Sequence, residues 1–223
     1  MAALPLPSFD ERPPSGAPET RERLLDAAEE LFAGKGFHAA SVREITQRAD
    51  SNIAAVNYYF GGKTNLYRAV FERRLATLRD SRLDAVARAR AARAGLDGLL
   101  RDFSLAFLEP FVAADGECLW VKLYSREILD PRLPAGLFFE QTIGPTQKAL
   151  ADALREVCPG LDERTALLSV QSLTGQLLHM RHLLDYAAVA RERSARVYKL
   201  EELVEHVVRF SAAAIRHLES DPG

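Results

Sequence analysis

The sequence predicts an all-α protein with a small helical domain at its N-terminal end and a larger helical domain behind it. Three observations carry this. From Thr20 onward, apolar residues recur at three- and four-residue spacing through most of the chain. No run of β-branched alternation bounded by turn residues occurs. Helix starters and breakers, among them Ser41, Gly61, Gly95, Pro110, Pro131, Pro145 and Pro159, cut the pattern into helix-length segments.

Taken in order, residues 1–19 hold Pro5, Pro7, Pro13, Pro14 and Pro18 with few large apolar side chains, so they bury too little surface to offset chain entropy and read as a disordered tail. A first helix begins at Thr20, with Leu24, Ala28, Leu31 and Phe32 on one stripe, and stops at Gly34 and Gly36. Ser41 followed by Glu44 is a capping box opening a second helix, whose buried stripe is Val42, Ile45 and Ala49. After "DSN" a short third helix runs from Ile53 to Tyr59. A helix closing the core, then two short helices joined by a tight turn, make a helix-turn-helix over residues 20–66. Helical spacing turns Ile53, Val56 and Phe60 inward. Ala54, Asn57 and Tyr58 then face outward, flanked by Ala55 and Tyr59. That face has few charges, where solubility alone would place Lys or Glu, so it is a docking surface.

A fourth helix starts near Lys63 and continues through an Arg- and Ala-rich stretch to Gly95, linking the helix-turn-helix to residues 67–223. Further helices are predicted over 99–112, 117–129, 133–157, 162–186 and 197–218, with Pro145 kinking or breaking the one it lies in.

Composition excludes several function classes. The chain has 223 residues, 48% hydrophobic and 27% charged, the profile of an ordinary globular protein. Its net charge of -2 rules out bulk electrostatic coating of nucleic acid or membrane, so any nucleic-acid surface must be local. Cys118 and Cys158 are too far apart for a CxxC pair, and no zinc cluster or disulfide framework is implied. His179 and His182 lie three apart without a third ligand at metal spacing, so no metal and no cofactor is expected. No signal segment opens the chain, and no apolar run approaches the ~20 residues that span a bilayer. A cytoplasmic protein with no membrane partner is the expectation. An enzyme would need a nucleophile with its base, a metal cage or a cofactor loop, and none is readable.

The stretch "GGKT" at Gly61 to Thr64 has the end of a phosphate loop but not its beginning. The Gly that should stand six residues before the Lys is Asn57, and a helix rather than a strand precedes it. A glycine pair feeding a helix at Lys63 instead aims backbone N–H groups and an ammonium at an anion such as a DNA phosphate.

Together "LLDAAEELFAGKGFHAASVREI" and "VNYYFGGKTNLYRAV" resemble the DNA-binding domain of the TetR family of transcriptional regulators over Thr20 to Val70. The turn departs from the family in carrying Asp50 and Ser51 where a glycine and an apolar residue are usual. The resemblance implies that the third helix enters the major groove of a double-stranded DNA operator. Asn57 would read a base edge, and Ala54 and Ala55 would meet thymine methyls. Tyr58 and Tyr59 would reach phosphates or sugars, and Ser41, Arg43, Asn52 and Lys63 would hold the backbone. The alternative for Tyr59 is core packing, and for Arg43 a solvated helix face. "LYSREILDP" and "SLTGQLLHMRH" are similar to the CecR-type C-terminal domain of one branch of the family, which implies a homodimer and a small hydrophobic effector.

The residues support both roles. The last helix and the one before it carry broad apolar stripes, from which Leu173, Leu177, Leu184, Leu203, Val207, Phe210 and Ile215 are the expected dimer contacts. Aromatic residues concentrated in the middle helices beside a few polar groups suggest an effector cavity: Phe103, Phe107, Trp120, Tyr124 and Phe138 with Arg126, Gln176 and His179. Arg126 beside Glu127 reads equally as an internal ion pair. The expected function is a repressor released from a palindromic operator by its effector. The alternative is a helical protein-interaction module, or a small-molecule-binding protein without DNA readout.

Overall fold

A computed structural model describes residues 17–111, 119–191 and 199–220, the side chains of 17 and 182–191 excepted. Every regular element among them is helical: α1 (Ala17–Ala39), α2 (Val42–Arg48), α3 (Ile53–Phe60), α4 (Lys63–Ala91), α5 (Gly95–Leu108), α6 (Leu119–Leu129), α7 (Gly144–Val157), α8 (Glu163–Arg191) and α9 (Leu200–Ser220). The chain divides into two compact units between Val70 and Phe71. No described helix is long and apolar enough to cross a membrane.

In the N-terminal unit α1 packs on α2 and α2 on α3. The core is Leu24, Leu25, Ala28, Phe32, Ile45, Val56 and Leu66, each with no exposed surface. Phe32 and Phe37 both meet the ring of Tyr67 edge-on, at 5.0 and 5.1 Å between centroids, a geometry that adds to the burial of their area. Helix α1 begins three residues before Thr20, taking the end of the predicted tail, with Pro18 in its first turn where the missing N–H is not needed. Gly36, at φ 83°, breaks it at the predicted stop.

The C-terminal unit is built from α5 packed on α9, α7 on α8 and α8 on α9, with the later turns of α4 alongside. Its core includes Val86, Leu99, Leu100, Phe103, Phe107, Leu150, Leu154, Val170, Leu173, Leu177 and Val207. Pro145 does not break its helix. A π turn over Phe139–Ile143 runs into α7, placing Pro145 in the first turn, where a proline is tolerated. The hydroxyl of Thr142 in that turn donates to the Leu75 carbonyl at 3.0 Å, tying the turn to α4. Pro110 is absorbed in the same manner, by a 3-10 turn over Glu109–Phe111 at the end of α5.

Candidate nucleic-acid interface and the cavity of the C-terminal unit

Each short helix of the N-terminal unit is fixed by bonds that its own sequence supplies. At α2 the Ser41 hydroxyl oxygen accepts from the Glu44 N–H at 3.1 Å, and the Glu44 carboxylate accepts from the Ser41 N–H at 3.0 Å. Lys35 donates to the same carboxylate at 2.6 Å. Lys35 first, and then the Ser41 N–H, hold the Glu44 carboxyl down at about 2. The helix ends in a Schellman turn: the Ser51 N–H donates to the Thr46 carbonyl at 2.9 Å and the Asp50 N–H to that of Gln47 at 3.3 Å. Asp50 takes the left-handed position at φ 46°, so the turn usual for glycine forms with aspartate.

The next residues open α3. The side-chain oxygen of Asn52 accepts from the Ala55 N–H at 2.9 Å, so this residue is engaged as the N-cap, and it is exposed. Gly61 at φ 70° closes the helix, its N–H donating to the Asn57 carbonyl at 2.9 Å. Gly62, at φ 128°, turns the chain into α4. Two consecutive residues with positive φ require glycine, which is why the pair stands here.

Between those caps Val56 and Phe60 are buried, while Ala54, Asn57 and Tyr58 are exposed and Ala55 and Tyr59 half-buried. Tyr58 is 68% exposed. Tyr59 packs edge-on against both Tyr58, at 4.9 Å, and Phe60, at 6.3 Å, which joins the core reading to the surface one. Ile53 was expected inward and is 52% exposed. As the first helical residue it precedes the turn that Val56 anchors in the core, and it extends the apolar part of the outward face. Periodicity alone missed it, because an end residue has neighbours on one side only.

The rim carries the cations. Arg43 is exposed on α2. The Lys63 ammonium lies 4.5 Å from the ring centroid of Phe37 and 3.4 Å from the His38 carbonyl oxygen, to which it donates. This partial burial draws it below the usual lysine range. Its aliphatic stem is therefore held rather than free, and its charge stays beside the N–H groups that open α4. An uncharged convex helix face with cations and free N–H groups at one end can lie in a duplex groove and grip the flanking phosphates.

In the C-terminal unit a cavity of about 340 Å³ is lined by Arg74, Leu78, Ser81, Pro110, Leu119 and Trp120, with Thr77. Trp120 is the only expected effector residue among the lining. Phe103 and Phe107 are buried behind it, and Tyr124 and Phe138 continue the aromatic set, Trp120 to Tyr124 at 5.7 Å and Tyr124 to Phe138 at 5.4 Å. Arg126 and His179 stand exposed on the outer faces of α6 and α8, and the Glu127 carboxylate accepts from the N–H groups of Arg132 and Leu133, both at 2.8 Å. Gln176 donates to the Ser211 hydroxyl at 3.3 Å in a different depression, between α8 and α9. What the sequence reading missed is α4, including Arg82, which is 6% exposed with its guanidinium 4.0 Å from the ring centroid of Phe107. A signal was present: Arg82 falls in the helical register of Leu75, Leu78, Val86 and Ala89.

Most of the expected dimer contacts are internal. Leu173, Leu177, Leu203, Val207 and Ile215 are at most 6% exposed and fill the unit's own core, because the apolar stripes of α8 and α9 face α5 and α7 first. Phe210 alone of the set with described side chains is on the surface, at 61%, and the side chain of Leu184 lies outside the described residues. Beside Phe210, the groove between α8 and α9 shows Leu168, Ala214 and Leu218. Cys158 is buried, which pushes its thiol up to about 11, and Cys118 lies outside the described residues. No metal-ligating cluster occurs among the described residues.

Two family models match. Residues 24–70 fit the bacterial regulatory proteins of the tetR family, and residues 96–215 fit the C-terminal domain of the HTH-type transcriptional dual regulator CecR. The chain is 28% identical to the HTH-type transcriptional regulator BetI of Rhizobium meliloti over 79% of its own length and 84% of BetI. It is 27% identical to the dual regulator CecR of Shigella flexneri over 73% of its length and 76% of CecR. The probable regulator YttP of Bacillus subtilis is 47% identical, over only 21% of this chain and 23% of YttP. Among solved structures, a TetR-family regulator from Mesorhizobium loti superposes with a TM-score of 0.66 at 19% identity, covering 91% of this chain and 97% of that one. The fatty acid degradation regulator FadR of Bacillus halodurans gives 0.60 at 18% identity, covering 91% and 96%. At such identities these two likenesses speak for the fold.

Proposed function

Because the chain belongs to the TetR family, with a CecR-type C-terminal domain, and is thus a DNA-binding transcriptional regulator rather than an enzyme, we propose that it is a ligand-responsive repressor. In this reading a homodimer sets two α3 helices in successive major grooves of a palindromic operator. It leaves that operator when a small hydrophobic effector fills the C-terminal unit.

The observation that carries the reading is the outward face of α3, with Ala54, Asn57 and Tyr58 exposed and the Gly61–Gly62 turn and Lys63 immediately behind. Asn57 has the amide that pairs bidentately with adenine, and Ala54 and Ile53 are suited to thymine methyls. The surface groove with Phe210 and Leu168 supports dimerisation, since one copy of a helix-turn-helix reads few base pairs and two-fold symmetry doubles the contacts. Helix α4 begins behind the recognition helix and lines the cavity with Leu78 and Ser81, so it is the element through which an effector would act. A coupling of about 1–3 kcal/mol, ordinary for such proteins, changes DNA affinity by roughly 5 to 150 fold.

Selection of bound duplexes from a random pool tests this. The expected product is an inverted repeat with half-sites about one helical turn, or a multiple of it, apart. An unpaired half-site would overturn the dimer, and no preference at low ionic strength would overturn the regulator. On the selected site, Lys63→Ala should weaken binding to all sequences and reduce the salt slope by about 1. Asn57→Ala should relax preference at one base position, by about 1–3 kcal/mol. An unchanged preference would remove Asn57 from base reading.

A further inference from the structure

Arg82 is buried on the inward face of α4 among Leu75, Leu78, Val86 and Ala89. Among the described residues its Nε has no hydrogen-bond partner, and its guanidinium carbon lies 4.0 Å from the ring centroid of Phe107. A buried charge is ordinarily paired, because removing it from water is costly and a ring face offsets only part of that cost. Neutralisation is no escape: burial lowers the guanidinium to about 10, well above neutral pH.

Arg82 does not itself line the cavity, but residues beside it do. Leu78, one helical turn before Arg82 on α4, and Pro110, one turn after Phe107, both line it. Leu119 and Trp120 with Leu78 give the cavity its apolar side and Arg74, Thr77 and Ser81 its polar one, and a second buried guanidinium, Arg181, lies 5.3 Å from the ring centroid of Phe111 and 6.0 Å from that of Tyr124. A volume of about 340 Å³ is at the small end of ligand pockets, which run from about 300 to 1,000 Å³. It suits a single ring or one short chain.

Resting on the effector reading above, we propose that the ligand of this cavity is a small monocarboxylic acid, its apolar body against Trp120 and Leu119 and its carboxylate bound by Arg82. The planar guanidinium matches a carboxylate with two parallel N–H donors, and the ligand supplies a counter-charge that no carboxylate among the described residues is seen to give Arg82.

The test uses the full-length protein in thermal denaturation with 3-phenylpropionate and octanoate, each set against the alcohol of the same skeleton. The acids should raise Tm and the alcohols should not. Arg82→Met should raise the ligand-free Tm, because an uncompensated buried charge is replaced by an apolar chain of similar length, and should abolish the shift given by the acids. Arg82→Lys keeps the charge without the fork, should leave a weakened shift, and serves if the Met variant does not fold. Equal shifts with acids and alcohols, or an acid shift that survives in Arg82→Met, would overturn the carboxylate anchor and leave the effector cavity standing. No shift with any of the four compounds would overturn both.

Discussion

The N-terminal and C-terminal units handle buried polar groups differently. In the first, Thr46 is 3% exposed and its hydroxyl donates to the Arg43 carbonyl at 3.1 Å, and the helix ends around it are closed by Ser41, Asp50, Asn52 and Gly61. In the second, Arg82 Nε, Ser104 Oγ and Ser169 Oγ are buried with no partner among the described residues. Unpaired groups of this kind cost stability, and they gather in the unit that carries the cavity and the α8–α9 groove. The first unit is a finished shape for a rigid partner. The described residues of the second leave polar bonds unmade, as expected where a ligand or another copy of the chain completes them.

The largest effects should separate the units. Phe32→Ala and Phe103→Ala each empty a buried ring site, at 0% and 2% exposure, and should cost about 3–5 kcal/mol. Followed by denaturation, the first should abolish DNA binding while the acid-induced Tm shift persists, and the second should abolish that shift and, by loosening the unit that pairs the two copies, weaken operator binding without abolishing it. If both variants lose both properties together, the comparison breaks, because the units then unfold as one. Gly61→Ala forces a side chain into φ 70° and brings its Cβ to 3.3 Å from Asn65 Nδ2, for a loss of roughly 1–2 kcal/mol. DNA affinity should fall with it, since the turn aims Lys63.

Ser41→Ala removes the α2 cap, at about 1 kcal/mol. The same box gives an acid signature. Because the folded Glu44 carboxyl is lowered from 4.5 to about 2, its contribution is present above pH 4.5 and is lost as pH falls toward 2. Acid titration of Glu44→Gln should therefore show a flatter loss over that window than the parent, and parallel curves would sink the assignment. Asp50→Gly should give the smallest change, a rise of a few tenths of a kcal/mol, by removing the left-handed penalty from the turn.

The same contrast explains what could be read from the sequence. The capping box, the stop at Gly36, the Gly61–Gly62 turn and the outward set of α3 rest on bonds between residues at most five apart, so a short stretch of sequence holds all the information. Ile53 escaped because burial at a helix end depends on what stands beyond it. In the C-terminal unit the helices were legible, but not which face meets which neighbour. Leu173, Leu177 and Val207 have the same apolar character whether they meet α5 or a second subunit, and only the packing decides. Pro145 marked a true discontinuity, though the chain resolves it with a π turn rather than a break. Arg82 was hidden inside the Arg- and Ala-rich stretch, where only its place in the apolar register sets it apart.

The recognition helix Ile53–Phe60 contains no carboxylate, imidazole, thiol or ammonium. If the proposed function holds, its choice among bases passes through an amide, methyl groups and phenol rings, none of which changes charge when the surroundings acidify by a unit or two. In the proposed reading, acid stress of that size would leave which sequence the protein selects unaltered.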